Sequence, residues 1–146
     1  MNAFFFFSPE EKRQIERSIR QAETLTSCEI RLRVEKECKN NLQQHVIEVF
    51  RFLGMDRTKN KNGILFYISI KDQKIAILGD KGVNKYVSDE FWNDIYNFIR
   101  NEFSKQNYCY GLSMAIIQTG KQLAKIFPVE KDDVNELPNE ISFDTK

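Results

Sequence analysis

Apolar residues recur along this chain in short periodic runs divided by polar turns, and the runs predict seven elements in the order α-β-α-β-β-α-α. Ser8-Pro9-Glu10-Glu11 opens the first helix: Ser8 caps the first turn, Pro9 suits its first position and Glu11 completes a capping box. Ile15, Ile19 and Ala22 then fall on one face. From Glu29 to Glu35, Ile30, Leu32 and Val34 alternate with Arg31 and Arg33, the pattern of a half-exposed strand. Leu42, Val46, Val49, Phe50 and Leu53 predict a second helix stopped by Gly54. Ile64 to Ile70 is almost continuously branched or aromatic, as in a central strand covered on both faces. Lys71–Lys74 turns the chain, and Ile75–Leu78 returns antiparallel. Ser88-Asp89-Glu90 starts a third helix with Phe91, Trp92, Ile95, Phe98, Ile99 and Phe103 inward. After a break at Asn107–Gly111, a fourth helix carries Leu112, Ala115, Ile116, Leu123 and Phe127 up to Pro128.

This order dictates a topology. The first two strands are joined through a helix, so they should lie parallel with a right-handed crossover, and the third should run antiparallel. The result is a small mixed sheet with helices on both faces. The starts of the two parallel strands and the end of the third then share one edge. That edge gathers Arg57, Lys59, Asn60, Asn62, Asp80 and Lys81 from the stretch Gly54–Gly82, with Glu29, Thr26 and Ser27 beside them. It is the candidate site.

Composition narrows the class. A chain of 146 residues with 41% hydrophobic and 29% charged residues suits a single soluble domain with a real core. The net charge of +1 gives no general attraction to nucleic acid or membrane. From Val129 onward, however, six acidic residues against two lysines leave the tail at −4 and residues 1–128 at +5. Residues 129–146 read as an acidic, flexible, solvated extension that need not pack. The Phe4–Phe7 run is too short for a signal-peptide core, and no apolar run approaches the roughly 20 residues of a membrane span. Cys28, Cys38 and Cys109 are odd in number and lack metal-ligand spacing, so free thiols in a reducing cytoplasm are expected.

The residues resemble a known family. Thr26-Ser27-Cys28-Glu29-Ile30, Asn62-Gly63-Ile64-Leu65, Gly79-Asp80-Lys81-Gly82-Val83 and Phe91-Trp92 occur in order. They are followed by Gly111-Leu112, Ala115, Gly120, Leu123-Ala124 and Phe127-Pro128. No one piece is specific, but the ordered set over roughly residues 4–128 resembles the TPM domain. The family is named for a thylakoid lumen protein, a photosystem II repair protein and an acetylcholine-receptor modulator. The resemblance implies a three-layer α/β/α sandwich over residues 1–128, with a parallel strand pair, an antiparallel hairpin strand and about four helices. It also implies divalent-cation binding and, for some members, phosphatase activity. Without a secretory signal or membrane anchor in the sequence, the chain looks like a short cytoplasmic member, and Cys28 stands where many members have glycine.

Asp80 is the sharpest candidate, a carboxylate in a glycine-flanked loop at a strand end. A hard cation such as Ca²⁺ or Mg²⁺ takes several oxygen ligands, which Asp80, Glu29, Asp56 and Asn62 are expected to supply. The alternative for Asp80 is a helix cap or turn. Arg57, Lys59 and Lys81 are candidates for holding a phosphate beside the cation, against the plainer reading of a solvated, counter-charged loop. The expected function is cation binding at the rim with phosphoester hydrolysis. The competing reading is a non-catalytic cation-binding module for a partner protein; the partner is accordingly a phosphorylated substrate or another protein. His45, the lone histidine, reads as a surface or half-buried residue rather than as a base for Cys28. Arg31 and Arg33 lack the interleaved aromatics of an RNA-binding face, which weighs against nucleic acid.

Overall fold

The computed structural model describes residues 2–130 and 135–144. Its sheet has four strands in the order β3-β2-β1-β4: β1 is Glu29–Glu35, β2 Gly63–Ser69, β3 Lys74–Gly79 and β4 Ser142–Phe143. β1 and β2 pair in parallel from Glu29↔Gly63 to Glu35↔Ser69, and β3 returns antiparallel to β2, bringing Gly79 opposite Ile64. The rim deduced from chain order is therefore present: the starts of β1 and β2 and the end of β3 meet at one edge.

Among the described residues five α-helices cover the sheet: α1 Pro9–Glu23, α2 Leu42–Phe52, α3 Lys81–Asn84, α4 Asp89–Ser104 and α5 Tyr108–Leu123. The single-turn α3 is the addition to the four expected helices. α1 begins with the full Ser8–Glu11 capping box, and Gly54 follows α2 in the left-handed conformation, φ 73°. The sheet sorts its side chains by strand alternation. Ile30, Leu32, Val34, Ile64, Phe66 and Ile68 face the core made with α1, α4 and α5. Leu65 and Tyr67 point the other way, into a smaller core with Val46, Val49 and Phe50 of α2 and with Met55. β2 is thus buried on both faces, the α/β/α arrangement. α1 and α5 cross closely at Gly120, where a Cβ would lie 2.9 Å from the Ala22 Cα.

Two expectations are corrected. The tail is not a free extension over the described residues 135–144. Leu137 and Ile141 are buried, and β4 adds to the free edge of β1 through Arg33↔Ser142 and Val34↔Phe143. The second face of β1 is accordingly not half-exposed. Glu29, Arg31 and Glu35 are all buried: the returning tail bonds Glu29 and Arg31, and Tyr67 and His45 close over Glu35. The cause is hydrogen bonding as much as apolar burial. The Glu29 carboxylate accepts the backbone N–H groups of Glu136 and Leu137 at 2.9–3.1 Å, and Arg31 donates to the Glu140 carbonyl at 3.2 Å. Arg33 donates to the Ser142 hydroxyl at 2.8 Å. The apolar residues Leu137 and Ile141 are the anchors hidden in an acidic composition.

Candidate functional site

β3 ends at Gly79, and Asp80 caps the single turn of α3. Its Oδ1 accepts the Lys81 N–H at 2.8 Å while its own N–H donates to the Gly63 carbonyl at 2.9 Å. The loop that precedes β2 is docked onto this turn. The Gly82 N–H donates to the Lys61 carbonyl at 2.9 Å, and a Cβ at position 82 would lie 2.3 Å from the Asn60 carbonyl oxygen. Glycine is required here by close approach rather than by φ. Lys61 itself is held at φ 52°, and Asn62 ties the loop to the start of β1 by donating from Nδ2 to the Ser27 carbonyl at 2.7 Å.

Between this turn and the C-terminal half of α2 lies a cleft of about 360 Å³. Ile47, Phe50 and Leu78 supply its apolar lining; Asp56 and Asp80 enter it together with Arg51, Lys61 and Lys81. The short 3₁₀ turn Met55–Arg57, anchored by fully buried Met55, carries Asp56 to the cleft. Asp56 Oδ1 and Asp80 Oδ2 are both shielded from solvent and accept no hydrogen bond among the described residues. Two carboxylate oxygens buried without donors, in one cleft, are the unusual feature of the molecule. Among the described residues the Lys61 ammonium bonds the backbone of this corner, donating from Nζ to the Asp56 carbonyl at 2.6 Å.

The residues singled out from the sequence divide. Asp56, Asp80 and Lys81 line the cleft. Asn62 lies at the rim with its Oδ1 also buried and unpartnered, outside the lining. Glu29 sits at the predicted register position, its N–H on the Asn62 carbonyl at 3.1 Å, but its carboxylate turns to the tail. Arg57 and Lys59 are exposed and do not line the cleft; the Lys59 N–H donates to Glu136. Arg51 belongs to the cleft and carries no sequence signal, since it is one of many polar residues on the outer face of α2. Asp80 fills the cap role weighed for it through one oxygen, while its second oxygen is buried without a donor among the described residues.

The ordered sheet rim, the Asp80 turn and the docked loop invite comparison with known proteins. A family model described as the TPM domain matches residues 5–122. The chain belongs to the TPM domain family. The BA42 protein of the psychrophilic bacterium Bizionia argentinensis, solved by NMR, is 43% identical with a TM-score of 0.90, over 94% of this chain and 95% of that one. The N-terminal domain of a P. gingivalis protein is similar in fold alone, at 18% identity and a TM-score of 0.69 over 83% of this chain and 78% of the other. The N-terminal domain of cg2496 from Corynebacterium glutamicum is likewise similar in fold, at 10% identity and 0.62 over 92% and 78%. No curated protein matches the chain.

The other reactive side chains of this TPM domain lie outside the cleft. Burial pushes the Cys28 thiol up to about 11, against a weak bond from Thr26, so it is not a thiolate at neutral pH. His45 contacts the Glu35 carboxylate at 2.6 Å, close to Tyr67 and away from the rim. Glu35 accepts from Tyr67 Oη at 2.6 Å and from Arg33 Nε at 2.9 Å. Burial opposes its ionisation, but these bonds together hold its carboxyl below the usual range. Among the described residues no three His, Cys, Asp or Glu side chains group as metal ligands, and no helix is long and apolar enough to cross a membrane.

Proposed function

We propose that this TPM domain binds a divalent cation, Mg²⁺ or Ca²⁺, in the rim cleft through Asp56 and Asp80, and there receives a phosphate-bearing ligand. The observation that carries the reading is the pair of buried, donor-free oxygens, Asp56 Oδ1 and Asp80 Oδ2, in a single cleft. An anionic oxygen removed from water without a donor is costly, and a cation relieves that cost. The donor set is all oxygen, without a cluster of three ionisable ligands, which favours a hard ion completing its shell with water and phosphate oxygens. Asn62 Oδ1 is the further neutral oxygen at this rim. Glu29 is left out of the set because its carboxylate holds the tail.

Phosphoester hydrolysis is the activity to be tested. When bound, the ion would supply Lewis-acid polarisation of a phosphoryl oxygen. Of the chain's own groups, Asp56 and Asp80 hold the positive charge in place. Lys81 and Arg51, which make no ion pair among the described residues, offer neutralisation to the phosphate. Ile47, Phe50 and Leu78 exclude water from one side of the cleft.

The second reading, a cation-binding module without catalysis, is favoured by one observation. The titratable lining consists of the two aspartates and three cations, with neither His45 nor Cys28 present to protonate a leaving alkoxide. Calorimetric titration with Mg²⁺ and Ca²⁺ on the intact chain, Asp56→Asn and Asp80→Asn tests the shared part. Saturable binding weakened in both variants is expected, and unchanged affinity in both overturns it. Turnover of p-nitrophenyl phosphate that requires the added ion and fails in Asp80→Asn selects the enzyme; ion binding without turnover selects the module.

A further inference from the structure

At the opposite end of the β2–β3 hairpin, about 20 Å from Asp80 by strand rise, lies a second and larger cleft of about 650 Å³. It is bounded by the hairpin turn on one side and by the end of α4 and the start of α5 on the other. That volume is in the range of sites for small organic molecules.

Its two walls are apolar and differ in kind. Ile68, Ile70 and Ile75 form an aliphatic wall from the sheet. Phe6, Phe103 and Tyr108 form an aromatic one, with Tyr108 edge-on to Phe6 at 5.1 Å and to Phe103 at 5.0 Å between centroids. The charged lining is one-signed: among the described residues Arg100 and Lys74 line the cleft and no carboxylate does. Lys74 is shared with Asp72 at 3.6 Å, whereas Arg100 has no hydrogen-bond or ion-pair partner among the described residues. Gln73 and Gln106 stand at the mouth with φ 52° and 65°, so both loop tips hold non-glycine residues in the sparsely populated left-handed region. At Gln106 this is the left-handed cap that ends α4, with the Gln106 N–H on the Phe103 carbonyl and the Asn107 N–H on the Glu102 carbonyl, both at 2.9 Å; Gln73 belongs to the tight turn of the hairpin.

We propose that this cleft is a binding site for a small organic acid with a flat apolar body. The body would enter between the isoleucine and aromatic walls, and its carboxylate would face Arg100. A guanidinium fork presents paired donors to a planar carboxylate, and an aromatic wall favours a flat partner that can stack or meet it edge-on. With Lys74 paired to Asp72, the free charge lining the cleft among the described residues is that of Arg100, which favours an anion. The site is separate from the rim in residues and in charge pattern.

The probe is 2-naphthoate titrated into the ¹⁵N-labelled intact chain, with 2-naphthalenemethanol as the neutral analogue and decanoate as the flexible acid. Saturable amide shifts gathered at Ser69–Ile75 and Phe103–Tyr108, with the rim turn Gly79–Gly82 unmoved, are expected. Arg100→Gln, at an exposed position without a hydrogen-bond or ion-pair partner among the described residues, should weaken naphthoate roughly fivefold and leave the neutral analogue unchanged. Shifts scattered over the surface, equal affinity for acid and alcohol, or an unaffected Arg100→Gln would overturn the site. Tighter binding of decanoate than of naphthoate would overturn the flat body.

Discussion

Gly82 and Lys61 are joined backbone to backbone: the Gly82 N–H donates to the Lys61 carbonyl at 2.9 Å, where a Cβ on residue 82 would lie only 2.4 Å from that oxygen. This contact docks the loop before β2 onto the turn after β3 and so shapes the rim cleft. Gly82→Ala must push two carbonyls, those of Asn60 and Lys61, out of place. A stability loss of about 1–3 kcal/mol in urea denaturation is expected. The divalent-cation affinity proposed for the cleft should fall with it although Asp56 and Asp80 are unaltered. An unchanged unfolding midpoint would contradict the close contact.

The tail should behave as part of the fold. Leu137 is buried against the α2 side of the sheet, so Leu137→Ala should cost about 2 kcal/mol, at the low end of the range for core leucines. Ending the chain at Pro128 should do more. It uncovers the buried Glu29 and Arg31 together with Leu65 and Tyr67. Hydrogen exchange of the β1 amides would report it, with faster exchange expected in the truncated chain. Equal protection in both would show that the tail merely rests on the sheet.

Glu35 gathers donors from Tyr67, His45 and Arg33. Tyr67→Phe removes one bond to a buried carboxylate and should cost about 1.5–3 kcal/mol at neutral pH. With its carboxyl held low in the fold, Glu35 contributes stability that is present above the ordinary carboxylate range. That contribution is lost as the pH falls through the depressed value. In Tyr67→Phe the difference from the parent chain should therefore shrink in acid. A pH-independent difference in urea midpoint would count against the charge on Glu35.

Glu23 works in the opposite sense. Burial, opposed by a bond from the Ile30 N–H and aided by the nearby Glu29 charge, pushes its carboxyl up to about 7. The folded chain therefore binds this proton more tightly than the unfolded chain. The resulting stability is full below about pH 4.5 and is lost as the pH rises to about 7. Glu23→Gln keeps an acceptor for Ile30 and has no charge to bury. Its midpoint should be flat across that window where the parent chain declines, and parallel profiles would refute the assignment.

Legibility followed the range of the interaction. The capping box at Ser8, the stop at Gly54 and the doubly covered β2 are local or periodic features, readable because propensity and alternation act over a few residues. The rim was readable one step further, because a helical crossover and a tight turn leave little topological freedom. Side-chain direction was not readable. Glu29 and Asp80 arrive at the same edge, yet Glu29 turns to the Glu136 and Leu137 N–H groups and Asp80 to the cleft. Arg51 joined the cleft from a helix face indistinguishable in composition from any solvated one.

By itself, then, the chain's pattern of apolar and polar positions determined the order of elements, the mixed sheet and the edge shared by Glu29, Asn62 and Asp80. Only the tertiary structure decided that residues 135–144, acidic and poor in apolar side chains, pack at all. Two anchors, Leu137 and Ile141, and a row of backbone donors find acceptors in Glu29 and Glu16 and a free strand edge on β1. Composition averages over such a segment, whereas packing depends on the few groups that meet a partner far away in sequence.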